Sequence, residues 1–339
     1  MNSYAHILIQ DSSAVGETRR LATRFADDLG LSTVRAGAVA IVATELASNV
    51  IKHAGSGEFF LHIDHTLQHL HLIAHDQGRG MENVDQCMQA GYSTSRTAGN
   101  GLGAISRLPD DFDLYSVKDK GTTIACVFAL DKSARSQPMI HGGLNLPYPG
   151  EFLSGDLWEF ASTEDYSYAL VSDGLGHGPE AHKASRRAAE AFQDNLGKSA
   201  GEILSQIHTA LIGTRGAAVA VARIDTYSGL LEYAGIGNIS GQIFSRDGVR
   251  SLISRDGIVG QNARKFESVA YPWSSQCTLI MFSDGLGSKT RMEPDHEPGL
   301  DFHSPHVIAT RLLKTFLRGR DDASILVASQ RLRRLGESA

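Results

Sequence analysis

An apolar run that ends in Ser-Asp-Gly-Leu-Gly occurs twice in this chain, at residues 169–176 and again at residues 279–287. A short apolar run bounded by turn residues predicts a buried strand, and the Asp-Gly pair predicts a turn directly after it. A single Asp-Gly pair is most often only a turn. Two copies in the same context predict two carboxylates held at the ends of core strands, which constrains both the fold and the chemistry.

Two more acidic residues occupy similar positions, beside small residues near predicted strand ends. Asp156 follows a Ser-Gly pair, and Asp321 opens the sequence Asp-Asp-Ala before a predicted strand. With Asp173 and Asp284 from the repeated pattern, they form a set of carboxylates without Cys or His. Such oxygen ligands favour hard divalent cations, Mg²⁺ or Mn²⁺. Two such ions can activate a water for attack on phosphorus, so the sequence predicts a metal-dependent hydrolase of phosphate esters.

The second half of the chain, over residues 150–329, resembles the SpoIIE-type branch of the type 2C metal-dependent protein phosphatases. The resemblance is carried by Asp-Gly-Leu-Gly-His-Gly-Pro-Glu-Ala at 173–181 and by Gly-Ile-Gly-Asn at 235–238. It implies an α-β-β-α sandwich, in which two sheets are covered by helices. The compact form is most similar to the stressosome feedback phosphatases, which remove phosphate from STAS-domain scaffold proteins.

The same resemblance implies a role for each acidic residue. Asp156 and Asp173 would bridge two Mn²⁺ or Mg²⁺ ions, and Gly174 would contribute its backbone carbonyl oxygen. Asp284 and Asp321 would complete the second metal position. The resemblance thus implies a hydrolase that needs two divalent cations and acts on phosphoserine or phosphothreonine.

A predicted helix at 35–54 carries polar residues on one face. Glu45 and Asn49 are one turn apart, whereas Val42 and Leu46 belong to an apolar stripe that can pack into the core. An Asn oxygen at such a position can bind Mg²⁺ beside nucleotide phosphates, and a carboxylate one turn away can deprotonate a hydroxyl group. Taken alone, this pattern is most often a solvated polar face.

Three glycine-rich segments follow this helix. They are Asp76-Gln-Gly78-Arg-Gly80, Gly99-Asn-Gly101-Leu-Gly103 and Gly121-Thr122-Thr123. The Asp at the end of a predicted strand can accept a hydrogen bond from an exocyclic amine, and the glycines let a ligand approach the backbone. A flexible glycine cluster before a helix suits a polyphosphate. Any one cluster is weak evidence, but the helix and the three clusters in this order indicate a nucleotide site.

In this order the four elements resemble the GHKL ATPase superfamily, and its serine-kinase branch most closely, over residues 5–130. The matching motifs of that superfamily are E-L-x-x-N, D-x-G-x-G, G-x-G-L-G and G-T-T. A stretch at 90–95 is similar to the switch-protein kinases of bacterial stressosome pathways, which phosphorylate Ser or Thr on STAS-domain proteins. The resemblance implies ATP and Mg²⁺ as cofactors. The residues implied are Glu45 as the catalytic base, Asn49 as the Mg²⁺ ligand, Asp76 as the adenine contact, and Gly78, Gly80, Gly101, Gly103 and Thr122 around the nucleotide.

The chain is expected to be an α/β (α+β) protein of two domains. A polar segment without periodicity at 131–144 predicts a linker between a domain at 1–130 and a domain at 145–332. The first is predicted to be an α/β sandwich with helices on one face of a mixed sheet. Its predicted helices are 17–29 and 35–54, and its predicted strands are 58–65, 69–75, 111–118 and 122–130.

Charge and composition exclude several classes of partner. The net charge is −6 and no Lys/Arg-rich run stands out, which argues against nucleic acid or an anionic membrane as the main partner. No signal peptide pattern and no uncharged apolar run of ~20 residues is found, so a cytoplasmic location is expected. The three cysteines, Cys87, Cys126 and Cys277, are far apart and are expected to be free thiols.

Three functional hypotheses fit these patterns. In the first, the chain is a bifunctional regulator that phosphorylates and dephosphorylates STAS-domain partners in a bacterial stress or sigma-factor pathway. In the second, only the phosphatase is catalytic, and the N-terminal domain senses ATP or binds a partner. In the third, the N-terminal domain is an anti-sigma factor, with a sigma factor as its partner. Glu45 and Asn49 fit the first and the third equally well.

Overall fold

The computed structural model describes residues 4–88, 101–131, 139–293 and 295–330. The stretch at 90–95 and the first two residues of the second glycine cluster lie outside the described residues. The chain forms two compact units. The first consists of Met1–Arg135 together with Pro294–Val307, and the second of Ser136–Glu293 together with Ile308–Ala339. Each unit is therefore assembled from two separate stretches of sequence, whereas the sequence predicted two continuous domains.

One antiparallel sheet of five strands forms the centre of the first unit. Its strands are β1 (Tyr4–Ile9), β2 (Gly57–Asp64), β3 (His69–Asp76), β4 (Asp111–Ser116) and β5 (Thr122–Ala129), in the order β1-β2-β3-β5-β4. Alternate residues face the core, because successive side chains of a strand point to opposite faces. The sheet was predicted as mixed, but every pair is antiparallel, and β1 was not predicted at all.

Two long helices cover one face of this sheet. They are α1 (Ser12–Leu29) and α2 (Thr33–Ala54), and two short helices, α3 (Val84–Met88) and α4 (Gly101–Ile105), follow. Asp11 accepts a hydrogen bond from the amide of Ser13 at the start of α1, and Gly30 ends that helix with φ 84°. Apolar side chains of both long helices form one core with alternate residues of the strands.

Helix α2 is long and apolar enough to cross a membrane by length and composition alone. The same test is passed by the core helix of a folded domain. Val42, Leu46 and Val50 of this helix are buried in the core of the first unit, which accounts for its apolar composition.

The opposite face of the sheet carries polar and histidine side chains, and the segment Pro294–Val307 of the first unit binds there. Tyr115 donates a hydrogen bond to Glu297 (2.8 Å). Asp113 is held by the ring of His303 at 2.8 Å and accepts a hydrogen bond from the amide of Ser304 at 2.6 Å. Burial raises the pKa of Asp113, but the contacts with His303 and Ser304 outweigh it, so that pKa lies below its ordinary value.

The second unit contains two sheets. The first has the order β13-β10-β9-β8-β7, with β14 beside β10, and the second has the order β12-β11-β15-β16-β6. The bounds are β6 (Met139–Leu146), β7 (Asp156–Ser162), β8 (Ser167–Gly174), β9 (Ala217–Asp225), β10 (Leu230–Ile236), β11 (Ser240–Ser245), β12 (Gly248–Leu252), β13 (Ser254–Arg255), β14 (Val269–Pro272), β15 (Thr278–Phe282) and β16 (Ala323–Gln330).

Apolar side chains of both sheets interdigitate in one core, to which Val171, Met281 and Leu326 belong. A second core lies between the first sheet and the helices α5 (Pro179–Gln193) and α6 (Ala200–Leu211). A third helix, α7 (Pro305–Phe316), precedes β16. The fold is therefore a mixed α/β arrangement with layered sheets and helices, as expected.

The predicted linker at 131–144 was wrong over its second half, because β6 begins at Met139 and pairs with β16 along its whole length. Two glycines inside this strand weaken its sequence signal. Gly143 is needed there: a Cβ at this position would lie 2.6 Å from the indole ring of Trp158. The close approach of that ring explains why a core strand contains residues that are typical of a loop.

Candidate functional site

The polar face of α2 forms one wall of the first candidate site. Glu45 and Asn49 are half-buried, whereas Leu46 lies in the core, so the helix has the two faces that its sequence predicted. Helix α2 packs against β3 on one side and against α4 on another. The two predicted polar residues therefore lie on the helix that joins the other parts of the predicted nucleotide site.

The end of β3 forms the second wall. Asp76 and Thr122 are directly opposite each other on neighbouring strands. The Asp76 carboxylate accepts a hydrogen bond from the amide of Gly78 (2.8 Å), which fixes the turn that follows. A Cβ on Gly78 would lie 2.7 Å from the Cβ of Ala54, so the turn runs directly against the end of α2. The structure thus brings together three of the predicted residues.

The loop after Asp76 is tied to β5 by a residue that sequence reasoning missed. The Ser116 hydroxyl accepts a hydrogen bond from the amide of Met81 (2.9 Å) and lies 2.9 Å from the hydroxyl of Thr122. Gly80 lies in this loop with φ 62°. Ser116 is the last residue of β4 and lies beside no motif, so only its position opposite Thr122 in the ladder could have suggested this role.

The second glycine cluster begins helix α4, which contains Gly101 and Gly103. The Ser106 hydroxyl donates to the carbonyl oxygen of Gly103 (3.1 Å). Helix α4 packs against α2, the helix that carries Asn49. The role of these two glycines stays a prediction.

Gly121→Ala is expected to damage this site more than Gly30→Ala, although both glycines have φ 84°. A Cβ on Gly121 would lie 1.9 Å from the carbonyl oxygen of Asp76, whereas a Cβ on Gly30 would meet nothing within 4 Å. The positive φ alone costs about 1–2 kcal/mol. Urea unfolding should show a loss of stability of this size for Gly30→Ala and a larger loss for Gly121→Ala. A separate binding measurement should show weaker ATP binding for Gly121→Ala only. Equal effects of both substitutions would contradict the close contact.

The second candidate site is a cluster of carboxylates in the second unit. Asp156 begins β7 and lies directly opposite Asp173 on β8. Asp284 follows β15 and Asp321 precedes β16, and these two strands are neighbours in the second sheet. The structure therefore places one predicted pair on each sheet, at the ends of the strands.

Burial and like charge raise the pKa values of the pair on the first sheet. Burial is the largest cause for Asp156, followed by the charge of Asp173, and its pKa lies well above the ordinary value. Burial also raises the pKa of Asp173 to about 7, and the charges of Asp284 and Asp321 add to it. All four predicted carboxylates therefore interact, and a cation among them would relieve the repulsion.

The residues fit divalent cations. Within the described part of the chain, one carboxylate oxygen of Asp156 (Oδ2) is buried and has no hydrogen-bond partner, which is an arrangement that a cation would satisfy. A Cβ on Gly174 would lie 2.2 Å from the carbonyl oxygen of Ala181, so this strand end requires glycine. The neighbouring Asp322 accepts a hydrogen bond from the amide of Tyr148 at one of its oxygens (2.7 Å).

Several polar residues around this cluster were not predicted. Asn238 donates a hydrogen bond to Asp284 (2.7 Å), and it belongs to the Gly-Ile-Gly-Asn motif, which was recognised without a role for this residue. Asn145 donates to the backbone oxygen of Asp156 (2.8 Å), and Ser185 donates to that of Gly155 (2.6 Å). These bonds hold the first pair of carboxylates in place, and they join residues that are distant in sequence.

Two families match the chain. The family described as "Stage II sporulation protein E (SpoIIE)" matches residues 163–331, and the "Histidine kinase-like ATPase domain" family matches residues 10–128. The serine/threonine-protein kinase RsbT of Bacillus subtilis is 33% identical over 129 residues, which cover 38% of this chain and 97% of that protein. An anti-sigma F factor of Anoxybacillus flavithermus is 28% identical over 99 residues, which cover 27% of this chain and 68% of that protein.

Solved structures match the fold of the chain over part or most of its length. RsbX in complex with magnesium matches with TM-score 0.52 and 18% identity, over 58% of this chain and 98% of that one. A chain from the bacterial stressosome matches with TM-score 0.52 and 25% identity, over 57% of this chain and 100% of that one. The PP2C phosphatase domain of Bacillus subtilis SpoIIE, with a fragment of its regulatory domain, matches with TM-score 0.50 and 20% identity. The match covers 95% of this chain and 97% of that one.

Proposed function

We propose that this chain, which belongs to the family of the serine/threonine-protein kinase RsbT, reverses the phosphorylation that it carries out itself. Its histidine kinase-like ATPase domain is followed by a SpoIIE-type PP2C phosphatase domain. It phosphorylates Ser or Thr on a STAS-domain partner protein and removes the same phosphate. The arrangement is that of a partner-switching regulator, and its place of action is the cytoplasm.

The carboxylate cluster is the observation that carries the phosphatase half. Asp156 and Asp173 face each other across two strands, and both have raised pKa values because they are buried among like charges. When bound there, two Mn²⁺ or Mg²⁺ ions would neutralise phosphate charge and lower the pKa of a water. Asp156, Asp173, the Gly174 carbonyl oxygen, Asp284 and Asp321 would hold the two ions.

The kinase half of the proposal rests on the first candidate site, which is formed by the polar face of α2 and the end of β3. Asp76 would accept a hydrogen bond from the exocyclic amine of adenine, and Asn49 would bind Mg²⁺ beside the phosphates. Glu45, one helical turn before Asn49, would accept the proton of the attacking serine or threonine hydroxyl. Gly78, Gly80, Gly101, Gly103 and Thr122 would surround the nucleotide.

A second function is favoured by one observation, the similarity of the first unit to an anti-sigma F factor. In that alternative the ATPase domain binds a sigma factor, and only the phosphatase acts on a STAS-domain protein. Co-purification of a sigma factor with the full chain in an ATP-dependent manner would favour this alternative over a STAS-directed kinase.

The test combines both activities in one mixture. The Asp173→Asn variant, whose phosphatase is blocked, is incubated with Mg-ATP labelled on its γ-phosphate and with a STAS-domain protein. We expect labelled phosphoserine or phosphothreonine to accumulate, and the wild-type chain with Mn²⁺ to release the label afterwards. No labelled product would remove the kinase half of the proposal. A labelled product that the wild type leaves intact would remove the phosphatase half for this substrate.

A further inference from the structure

Three histidines converge on the face of the first unit's sheet that is opposite α1 and α2. They are His62 on β2, His71 on β3 and His306 near the start of α7, and all three belong to the first unit. One ring nitrogen from each can be chosen such that all three nitrogens lie within 4.8 Å of one another. No motif of either enzyme half includes these residues.

The topology explains how these histidines meet. His62 and His71 are directly opposite each other in the antiparallel ladder, and their ring centroids are 5.8 Å apart. Their strand neighbours Leu61 and Leu72 point into the core on the other face. The third ring is delivered by the segment Pro294–Val307, and His306 stacks on His71 with a centroid distance of 4.1 Å. The sheet supplies two ligands and the segment that binds to it supplies the third.

We propose that His62, His71 and His306 form a binding site for a transition-metal ion, of which Zn²⁺ is the best fit. Neutral imidazole is the ligand that Zn²⁺, Co²⁺, Ni²⁺ and Cu²⁺ accept and that Mg²⁺ does not favour. Tetrahedral Zn²⁺ with Zn–N bonds of ~2.0–2.1 Å places its nitrogen ligands about 3.4 Å apart. Small rotations of the three side chains would bring the nitrogens from within 4.8 Å to this spacing.

Burial supports a built site rather than a chance surface contact. His71 and His306 are only 5% exposed, and His62 is half-buried. A metal ion held there would tie the segment Pro294–Val307 to β2 and β3, in addition to the contacts that Asp113 and Tyr115 already make with it. The site is independent of the phosphatase chemistry, whose ligands are oxygen atoms.

The experiment uses the full chain without a histidine tag, in excess Mg²⁺, which occupies oxygen-ligand sites. Co²⁺ is the first probe, because tetrahedral nitrogen coordination gives much stronger visible absorption than octahedral oxygen coordination. We expect the strong visible absorption bands of tetrahedral Co²⁺ in the wild type and in His6→Gln. We expect these bands to be lost in His62→Gln and in His71→Phe. His6 is the matched control, because it lies on the same sheet face but is paired with Glu58 at 2.7 Å.

Zn²⁺ titration against a competing chelator is the second measurement. The wild type should bind one more equivalent than His62→Gln, or bind it tighter by more than the roughly 10- to 100-fold that loss of an outer-shell partner costs. His71→Phe keeps an aromatic ring for stacking, so it separates metal binding from packing. Equal Zn²⁺ stoichiometry and equal Co²⁺ spectra in all four proteins, each shown to be folded by circular dichroism, would overturn the proposal and leave a purely packed histidine cluster.

Discussion

Asp173→Asn is expected to reduce Mn²⁺-dependent phosphate release by about 10³-fold or more. Asp173 lies opposite Asp156 and interacts with Asp284 and Asp321, so it contributes to both proposed metal positions. Loss of one charged ligand of the proposed metal site would remove several kcal/mol of charge stabilisation. A loss of about 4 kcal/mol corresponds to a roughly 10³-fold lower rate. The measurement is turnover of p-nitrophenyl phosphate and of a phosphorylated STAS-domain protein over a range of Mn²⁺ concentrations.

Asp225→Asn is the matched control for this substitution. Asp225 ends β9 in the same unit, and its carboxylate accepts hydrogen bonds from the amides of Tyr227 (2.9 Å) and Ser228 (3.0 Å) in an exposed turn. An Asn oxygen can accept the same bonds, so activity should stay within about two-fold of wild type. Full activity of Asp173→Asn, or equal losses in both variants, would refute the assignment of the metal site.

The pH dependence of unfolding provides a second readout for the same residue. The pKa of Asp173 is raised to about 7 in the fold, above the ordinary aspartate value of 3.8. Between these values the folded state binds more protons than the unfolded state, so this group lowers stability as pH rises from about 4 to 7. In metal-free protein, Asp173→Asn should remove part of that decline and be more stable than wild type near pH 7. Mn²⁺ should stabilise the wild type and have less effect on the variant.

Glu45→Gln is expected to reduce phosphoryl transfer to a STAS-domain protein by roughly 10²- to 10⁴-fold, which is the usual contribution of a general base. The amide keeps the size of the side chain but cannot accept a proton at neutral pH. Glu45 is half-buried on the polar face of α2, away from the core stripe, so the fold should be retained. ATP affinity should change only a few-fold, because the proposed nucleotide contacts belong to other residues.

The measurement is single-turnover transfer of labelled phosphate in the Asp173→Asn background, with ATP binding followed separately. Glu17→Gln serves as the control, because Glu17 is exposed on α1 and belongs to no proposed site. If Glu45→Gln transferred phosphate as fast as Glu17→Gln, Glu45 would not be the base. If ATP binding were lost as well, the residue would have a role in nucleotide binding instead.

Much of the fold could be predicted because the strands and helices have regular patterns. The apolar stripe of Val42, Leu46 and Val50 is buried as predicted. The strand β6 could not be predicted, since Gly143 is required by the nearby Trp158 ring, and that contact is invisible along the sequence. The edge strand β1 is short and depends on pairing with β2, which is far away in the chain.

The candidate sites show the same division. The carboxylates have a local sequence signal, because each lies beside small residues near the end of a strand, and Asp156 and Asp173 face each other across β7 and β8. Their role as metal ligands stays a prediction. Ser116, Asn145 and Ser185 could not be predicted, because they act through contacts between segments that no local motif marks. The histidine cluster belongs to this second class, since His306 is separated from His62 by most of the chain.

The split composition of the first unit has a consequence for the order in which the protein can fold during synthesis. Chains emerge from the ribosome N-terminal end first, and domains tend to fold as they emerge. The sheet and both long helices of the first unit are available early, but Pro294–Val307 is made only after all of residues 136–293. The polar and histidine-rich face of that sheet therefore stays uncovered by this segment while the intervening residues are translated. A nascent chain that stops before residue 294 lacks the segment entirely.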